Sequence, residues 1–139
     1  MEKLDRRFLL GLGATAAATP ALAWTTPAAS QTYGPDEGEE LVPGVRQVDL
    51  DKREAIIPEY QTVSMRDIVV EPGAEIPSSA MENDMVCHMA EGELQVVQNG
   101  KEFTARTGDV WTCATGTEEG GKNTSDSVAI MRVTDLLRA

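Results

Sequence analysis

Aromatic side chains are scarce in this chain of 139 residues, with two each of Phe, Tyr and Trp. A core built here must be filled by something else, and the six methionines are flexible enough to fill it. Histidine is scarcer still: His88 is the only one, which removes any site that needs two imidazoles. Basic residues number 12 against 23 acidic ones, for a net charge of −11. Such a surface repels phosphate backbones and anionic lipid headgroups, so nucleic acid and membrane surfaces are excluded as main partners. No stretch keeps a 3.6-residue apolar period over three turns, and no internal repeat is visible, which argues against bundles and solenoids.

What is present begins with an export signal. Lys3, Arg6 and Arg7 form a basic start, an apolar run rich in Ala and Gly follows from Phe8 to Ala18, and Ala21-Leu22-Ala23 offers a small-residue cleavage site. The pair Arg6-Arg7 before Phe8-Leu9-Leu10 is similar to a twin-arginine signal, which delivers folded proteins to the periplasm, although Asp5 stands where Ser or Thr is usual. A second cut after Ser30 stays open. Removing residues 1 to 23 leaves 21 acidic against 9 basic side chains, a charge near −12. Residues 24 to 45, rich in Pro, Gly, Ser and acids, read as a linker or extended arm, and 46 to 139 as one domain. In an oxidising compartment the plain expectation for the two cysteines, Cys87 and Cys113, is a disulfide; a reduced pair would need a reason such as a metal.

Beyond residue 45 the pattern is short, alternating and β-like. Val48 and Leu50 alternate with polar neighbours, and Tyr60 to Val70 reads as a strand ending at Glu71-Pro72-Gly73. Residues 93 to 98 and 102 to 105 flank Asn99-Gly100, whose type I′ turn needs positive φ at both positions. Val110 to Cys113 and Ser127 to Thr134 complete the set, with a short turn expected over 135 to 139. Seven or eight such strands in one small domain predict an all-β sandwich or barrel.

Two stretches resemble the cupin family of jelly-roll β-barrels. The first is Gly73, five residues, Ser79-Ala80-Met81, three residues, Met85, six residues, Gly92. The cupin pattern there is Gly, five residues, His-x-His, three or four residues, Glu, six residues, Gly. The second is Gly108, five residues, Ala114-Thr115-Gly116, two residues, Glu119, three residues, Asn123, where cupins have Gly, five residues, Pro-x-Gly, two residues, His, three residues, Asn. The resemblance covers roughly residues 65 to 134 and implies a single-domain jelly-roll. It also implies a divalent-metal site at Ser79, Met81, Met85 and Glu119, but none of these is an imidazole, so the family's usual metal is not expected. Cupins commonly pair into homodimers, which the resemblance extends to this chain as an expectation.

If Met85 points into the barrel, as the resemblance implies, alternation sends Cys87 and Met89 to the same inner face and turns Val86 and His88 outward. Met81 arrives from the preceding segment, and Cys113 lies on a strand that in this family runs beside Met85. The sulfur stripe then has two readings. It is wall packing, with Met filling space and Cys acting as a small hydrophobe, or it is a soft-metal site suited to copper. Trp111 either lines a cavity or belongs to the core. Glu119 is the candidate catalytic residue: at a barrel mouth among methionines it would be poorly solvated and ready for proton transfer, whereas Glu118-Glu119-Gly120-Gly121 also reads as a solvated acidic turn. Three functions stay open: a small-molecule binder using Ser79, Met81, Met85, Cys87, Met89, Trp111 and Cys113; a lyase, isomerase or oxygenase using Glu119; and periplasmic copper handling by Met and Cys. A fold does not choose among them.

Overall fold

The computed structural model describes residues 32 to 139, so the stretch read as an export signal and residues 24 to 31 of the one read as an arm lie outside the described residues. Ten strands form, β1 (Glu39–Val42), β2 (Val45–Glu54), β3 (Thr62–Val70), β4 (Glu75–Ala80), β5 (Asp84–Glu91), β6 (Glu93–Gln98), β7 (Lys101–Arg106), β8 (Val110–Cys113), β9 (Glu118–Lys122) and β10 (Ala129–Leu137). No helix occurs among the described residues. Two antiparallel sheets face each other, one in the order β1-β2-β3-β10-β5-β8 and the other β4-β9-β6-β7. This is the jelly-roll arrangement, with two separate sheets rather than one ladder closed on itself.

Period-2 alternation decides what each strand buries. On β5 the inner residues are Met85, Cys87 and Met89, all buried, while Val86 and His88 are half-exposed on the outer face, as expected from the sequence. On β10 Met131 and Val133 face inward, and on β3 Ile68 and Val70. The other sheet adds Leu94, Val96 and Ala105. Burying each such large aliphatic side chain stabilises the fold by about 1.5–3 kcal/mol.

The hairpin at Asn99-Gly100 forms with φ of 48° and 80° at its two central residues. Asn123 explains one element of the cupin frame in structural terms. Fully buried, it donates from Nδ2 to the Val70 and Ser127 carbonyls at 2.9 and 2.8 Å and accepts from the Ser125 amide and hydroxyl, pinning the loop between β9 and β10.

Three stretches differ from the sequence reading. Part of the stretch read as a linker or arm is strand β1, paired along β2. The acidic turn expected at Glu118 to Gly121 is instead β9, paired with β4 and β6 and buried from Glu119 to Gly121. The terminal turn expected from Asp135 is a continuation of β10 to Leu137, paired with β3 throughout.

A small second cluster, Val69, Val128 and Ile130, lies on the outer face of the six-stranded sheet beneath Tyr33. Beside it Asp67, wholly buried, takes two hydrogen bonds from the Arg132 guanidinium, both 2.8 Å, and one from the Tyr33 hydroxyl.

At the opposite end Asp84 ties three segments together. Its carboxylate accepts from the Tyr60 hydroxyl at 2.6 Å, the Thr115 amide at 2.8 Å and hydroxyl at 3.0 Å, and Arg138 at 2.8 Å. These donors, the Tyr60 bond first, hold the Asp84 carboxyl well below the ordinary carboxylate range. A depressed carboxylate contributes its stability above the unfolded value of about 4 and loses it as pH falls further. Asp84→Asn is therefore expected to flatten the fall in melting temperature below about pH 4. An acid-unfolding curve unchanged in shape would show that Asp84 is not a main acid trigger.

Candidate functional site

A cavity of about 380 Å³ opens between the two sheets. Its walls follow from the inner-face register: Ile68 on β3, Met85 and Cys87 on β5, Leu94 and Val96 on β6, Met131 and Val133 on β10. Ser79, Met81 and Glu119 contribute from β4, the following turn and β9. The polar side of the cavity is Arg66 and Asp135, whose side chains join at 2.9 Å, with Arg66 also donating to Gln47 at 3.0 Å. Sequence reasoning missed both. Arg66 sits two residues before the inward Ile68 and Asp135 two after the inward Val133, so the alternation pattern carried the signal: a charge on the inner register of an otherwise apolar strand.

Five of the eight expected site residues, Ser79, Met81, Met85, Cys87 and Glu119, line this cavity. Met89, Trp111 and Cys113 do not. Met89 is fully buried core, and Trp111 packs edge-on against Phe103 with ring centroids 5.6 Å apart. Cys113 sits behind the wall, cross-strand from Met85 on β8.

Glu119 is the best-held of these residues. Buried on β9, it receives the Cys113 thiol at 2.6 Å and the Gln98 amide at 3.1 Å on Oε2, and the Trp111 indole at 3.5 Å on Oε1. Gln98 Nε2 also reaches the Cys113 sulfur at 3.2 Å and the Thr112 carbonyl at 2.9 Å, so three acceptors share two N–H groups. Cys87 and Cys113 are free, not bridged as the compartment argument expected, and both are buried. A hydrogen bond with Cys113, burial and the nearby Glu119 charge all push the Cys87 thiol up, keeping it protonated.

The four positions that would carry the cupin metal do not fit it. Ser79 is exposed on an edge strand, Met81 and Met85 offer thioethers, and only Glu119 is a hard anionic donor. Iron or manganese would find one good ligand in four. No mechanistic step is derived through that metal.

The fold and the cavity together define a cupin jelly-roll. Solved structures with the same fold include KdgF from a Halomonas species (TM-score 0.58, 15% identity, covering 82% of this chain and 96% of that one) and an RmlC-like cupin from Shewanella frigidimarina (0.57, 16%, 81% and 96%). The Cnp3 cupin domain structure of Schizosaccharomyces pombe is similar at TM-score 0.58 and 20% identity, covering 67% of this chain and 61% of that one, under two thirds of its length. At such identities the likeness is one of fold. No family model and no curated protein matches the sequence.

Proposed function

We propose that this chain is an exported periplasmic cupin-fold protein that binds a small, mainly apolar molecule in the cavity between its sheets. The observation that carries this reading is the cavity itself, about 380 Å³ with an aliphatic and thioether wall and a few convergent polar groups at Arg66, Asp135, Ser79 and Glu119. That is the usual make-up of a small-molecule site: apolar area supplies affinity, and few polar groups set orientation. Arg66 is already neutralised by Asp135, so the site favours a ligand with a neutral hydrogen-bonding end over a free carboxylate. Export rests on the Arg6-Arg7 signal and the alanine-rich cleavage region.

The test is binding of a neutral fluorescent apolar probe, 1-aminoanthracene, to the purified protein. One probe per chain is expected, with binding lost in Ile76→Trp, whose side chain lines the cavity from β4, in a variant that still unfolds cooperatively. Glu119→Gln should retain affinity within about threefold, since an isosteric amide keeps a hydrogen-bonding group at the wall. Probe binding that is equally strong in Ile76→Trp would place the probe elsewhere and remove the reading. The enzyme reading, also hosted by this fold, gains from the three donors that fix Glu119; it shares the retained probe affinity of Glu119→Gln and differs in predicting that this variant abolishes turnover.

A further inference from the structure

Three side chains that could each carry negative charge converge at the cavity wall. The Sγ atoms of Cys87 and Cys113 and a carboxylate oxygen of Glu119 all lie within 4.8 Å of one another, and all three residues are buried. They come from three strands in both sheets: Cys87 on β5, Cys113 on its neighbour β8, and Glu119 on β9 opposite. The cysteines sit diagonally, because Cys87 is cross-strand from Trp111 and Cys113 from Met85, so their side chains lean together on the inner face.

We propose that Cys87, Cys113 and Glu119 form a binding site for one divalent metal ion of the zinc class. Two of the three donors stand at positions that the cupin pattern does not use, and the site takes over only Glu119 from it. Tetrahedral zinc with metal–sulfur bonds of about 2.3 Å and a metal–oxygen bond of about 2.1 Å sets its donors about 3.6–3.8 Å apart. The donors now lie within 4.8 Å of one another, with the Cys113 sulfur 2.6 Å from Glu119 Oε2, so that pair must open by about 1 Å to admit the ion. Two thiolates and one carboxylate leave the fourth position open, and the cavity lies on that side, since Cys87 and Glu119 both line it. On binding, the two thiol protons leave to solvent and the ion takes both sulfurs and the carboxylate, so a dication meets three negative charges.

The surroundings already hold the donors in place. Gln98 donates to the Cys113 sulfur and to Glu119 Oε2, and Trp111 to Glu119 Oε1. Such outer hydrogen bonds orient ligands and reduce the cost of ordering them when the ion arrives. The methionines play no part in this ligand set, because a thioether is a poor donor to a zinc-class dication.

The experiment uses the full chain, reduced and then freed of reductant under argon, with Co²⁺ chloride as the probe and Zn²⁺ as competitor. The expected result is one Co²⁺ per chain with a thiolate-to-cobalt charge-transfer band in the near ultraviolet and the strong visible bands of four-coordination, displaced by one Zn²⁺. Cys87→Ser and Cys113→Ser should each abolish the charge-transfer intensity of the native spectrum or halve it with a large loss of affinity. Gln98→Leu should weaken binding about tenfold or more. Met89→Leu, a volume-conserving change outside the cavity wall, should leave the spectrum and affinity unchanged. Circular dichroism of each variant identifies any that fails to fold, and Glu119→Gln, isosteric with the native residue, should lose at least about tenfold in affinity with the fold retained. Absence of the charge-transfer band while both thiols titrate as free, its survival in both serine variants, or its loss in Met89→Leu would each overturn the assignment. Binding of 1-aminoanthracene by the same samples reads the cavity separately, so failure of the metal site and failure of the ligand site are distinguishable.

Discussion

Replacing Asp67 with alanine is expected to lower the unfolding free energy by about 3 kcal/mol, the low end for breaking a buried ion pair. Asp67 is wholly inaccessible on the outer face of β3, and its carboxylate takes both forks of the Arg132 guanidinium and the Tyr33 hydroxyl. Removal leaves Arg132 and Tyr33 without that acceptor under the cover that the segment around Tyr33 makes. The loss stays at the low end because the Arg132 side chain is 38% exposed and can turn to water. Asp67→Asn, which keeps an acceptor oxygen, should lose less.

The same carboxylate gives an alkaline signature. Burial, then the hydrogen bond and charge of Asp67, push the Tyr33 phenol up to about 12 from 10.0. A raised folded-state value contributes stability that is complete below the unfolded value and is lost as pH rises through the folded one. Native stability should therefore fall between about pH 10 and 12, and Asp67→Ala should show a weaker fall. Urea melts at pH 7 and pH 11 test both points. A loss under about 1 kcal/mol at pH 7 would mean that the Tyr33 cover adds nothing to the fold.

Gly92→Ala carries the other large effect, a loss of more than about 3 kcal/mol or an insoluble product. Gly92 is the corner at which the chain leaves the six-stranded sheet on β5 and enters the four-stranded sheet on β6. Its φ is +70°, and a Cβ there would stand 2.5 Å from the Val128 carbonyl oxygen and 3.1 Å from the Ala129 Cα. Both obstacles are backbone, so no side chain can give way. Gly108→Ala is the matched control, since φ is +97° with open space around the added carbon. It should lose only the left-handed cost of about 1–2 kcal/mol. Equal losses in the two variants would show that the contact with Val128 relaxes freely.

The pair explains why the glycine spacing was legible before the structure. Gly73, Gly92, Gly108 and Gly116 all adopt positive φ, so the frame that resembles a cupin is a set of backbone requirements rather than of chemistry. The Asn99-Gly100 hairpin was legible for the same reason. β4 and β9 were not. Glu75–Ala80 contains Pro77 and mostly exposed side chains, which suits the edge strand that it is, and its pairing slips between Ile76 and Ser79. Glu118–Lys122 has no apolar side chain to alternate, and its two glycines resemble a turn. They serve close approach instead, because a Cβ on Gly120 would stand 2.6 Å from the Ser78 hydroxyl and 2.8 Å from the Ile76 carbonyl. Glu119 was still legible as a site residue through its place in the cupin frame, but the turn reading hid its convergence on Cys87 and Cys113.

One feature of connectivity bears on how the protein is made. β10, the strand latest in the sequence, is a central member of the six-stranded sheet, paired with β3 along nine residues and with β5 on its other side. Until residue 137 has been synthesised, β3 and β5 have no neighbour to join them, and Met131 and Val133 are missing from the core. A chain lacking β10 holds the β1-β2-β3 meander and the β5-β8 pair as two separate pieces of the six-stranded sheet. The fold is therefore completed late, through contacts between residues far apart in sequence, at the slow rates of milliseconds to seconds typical of such β-topologies.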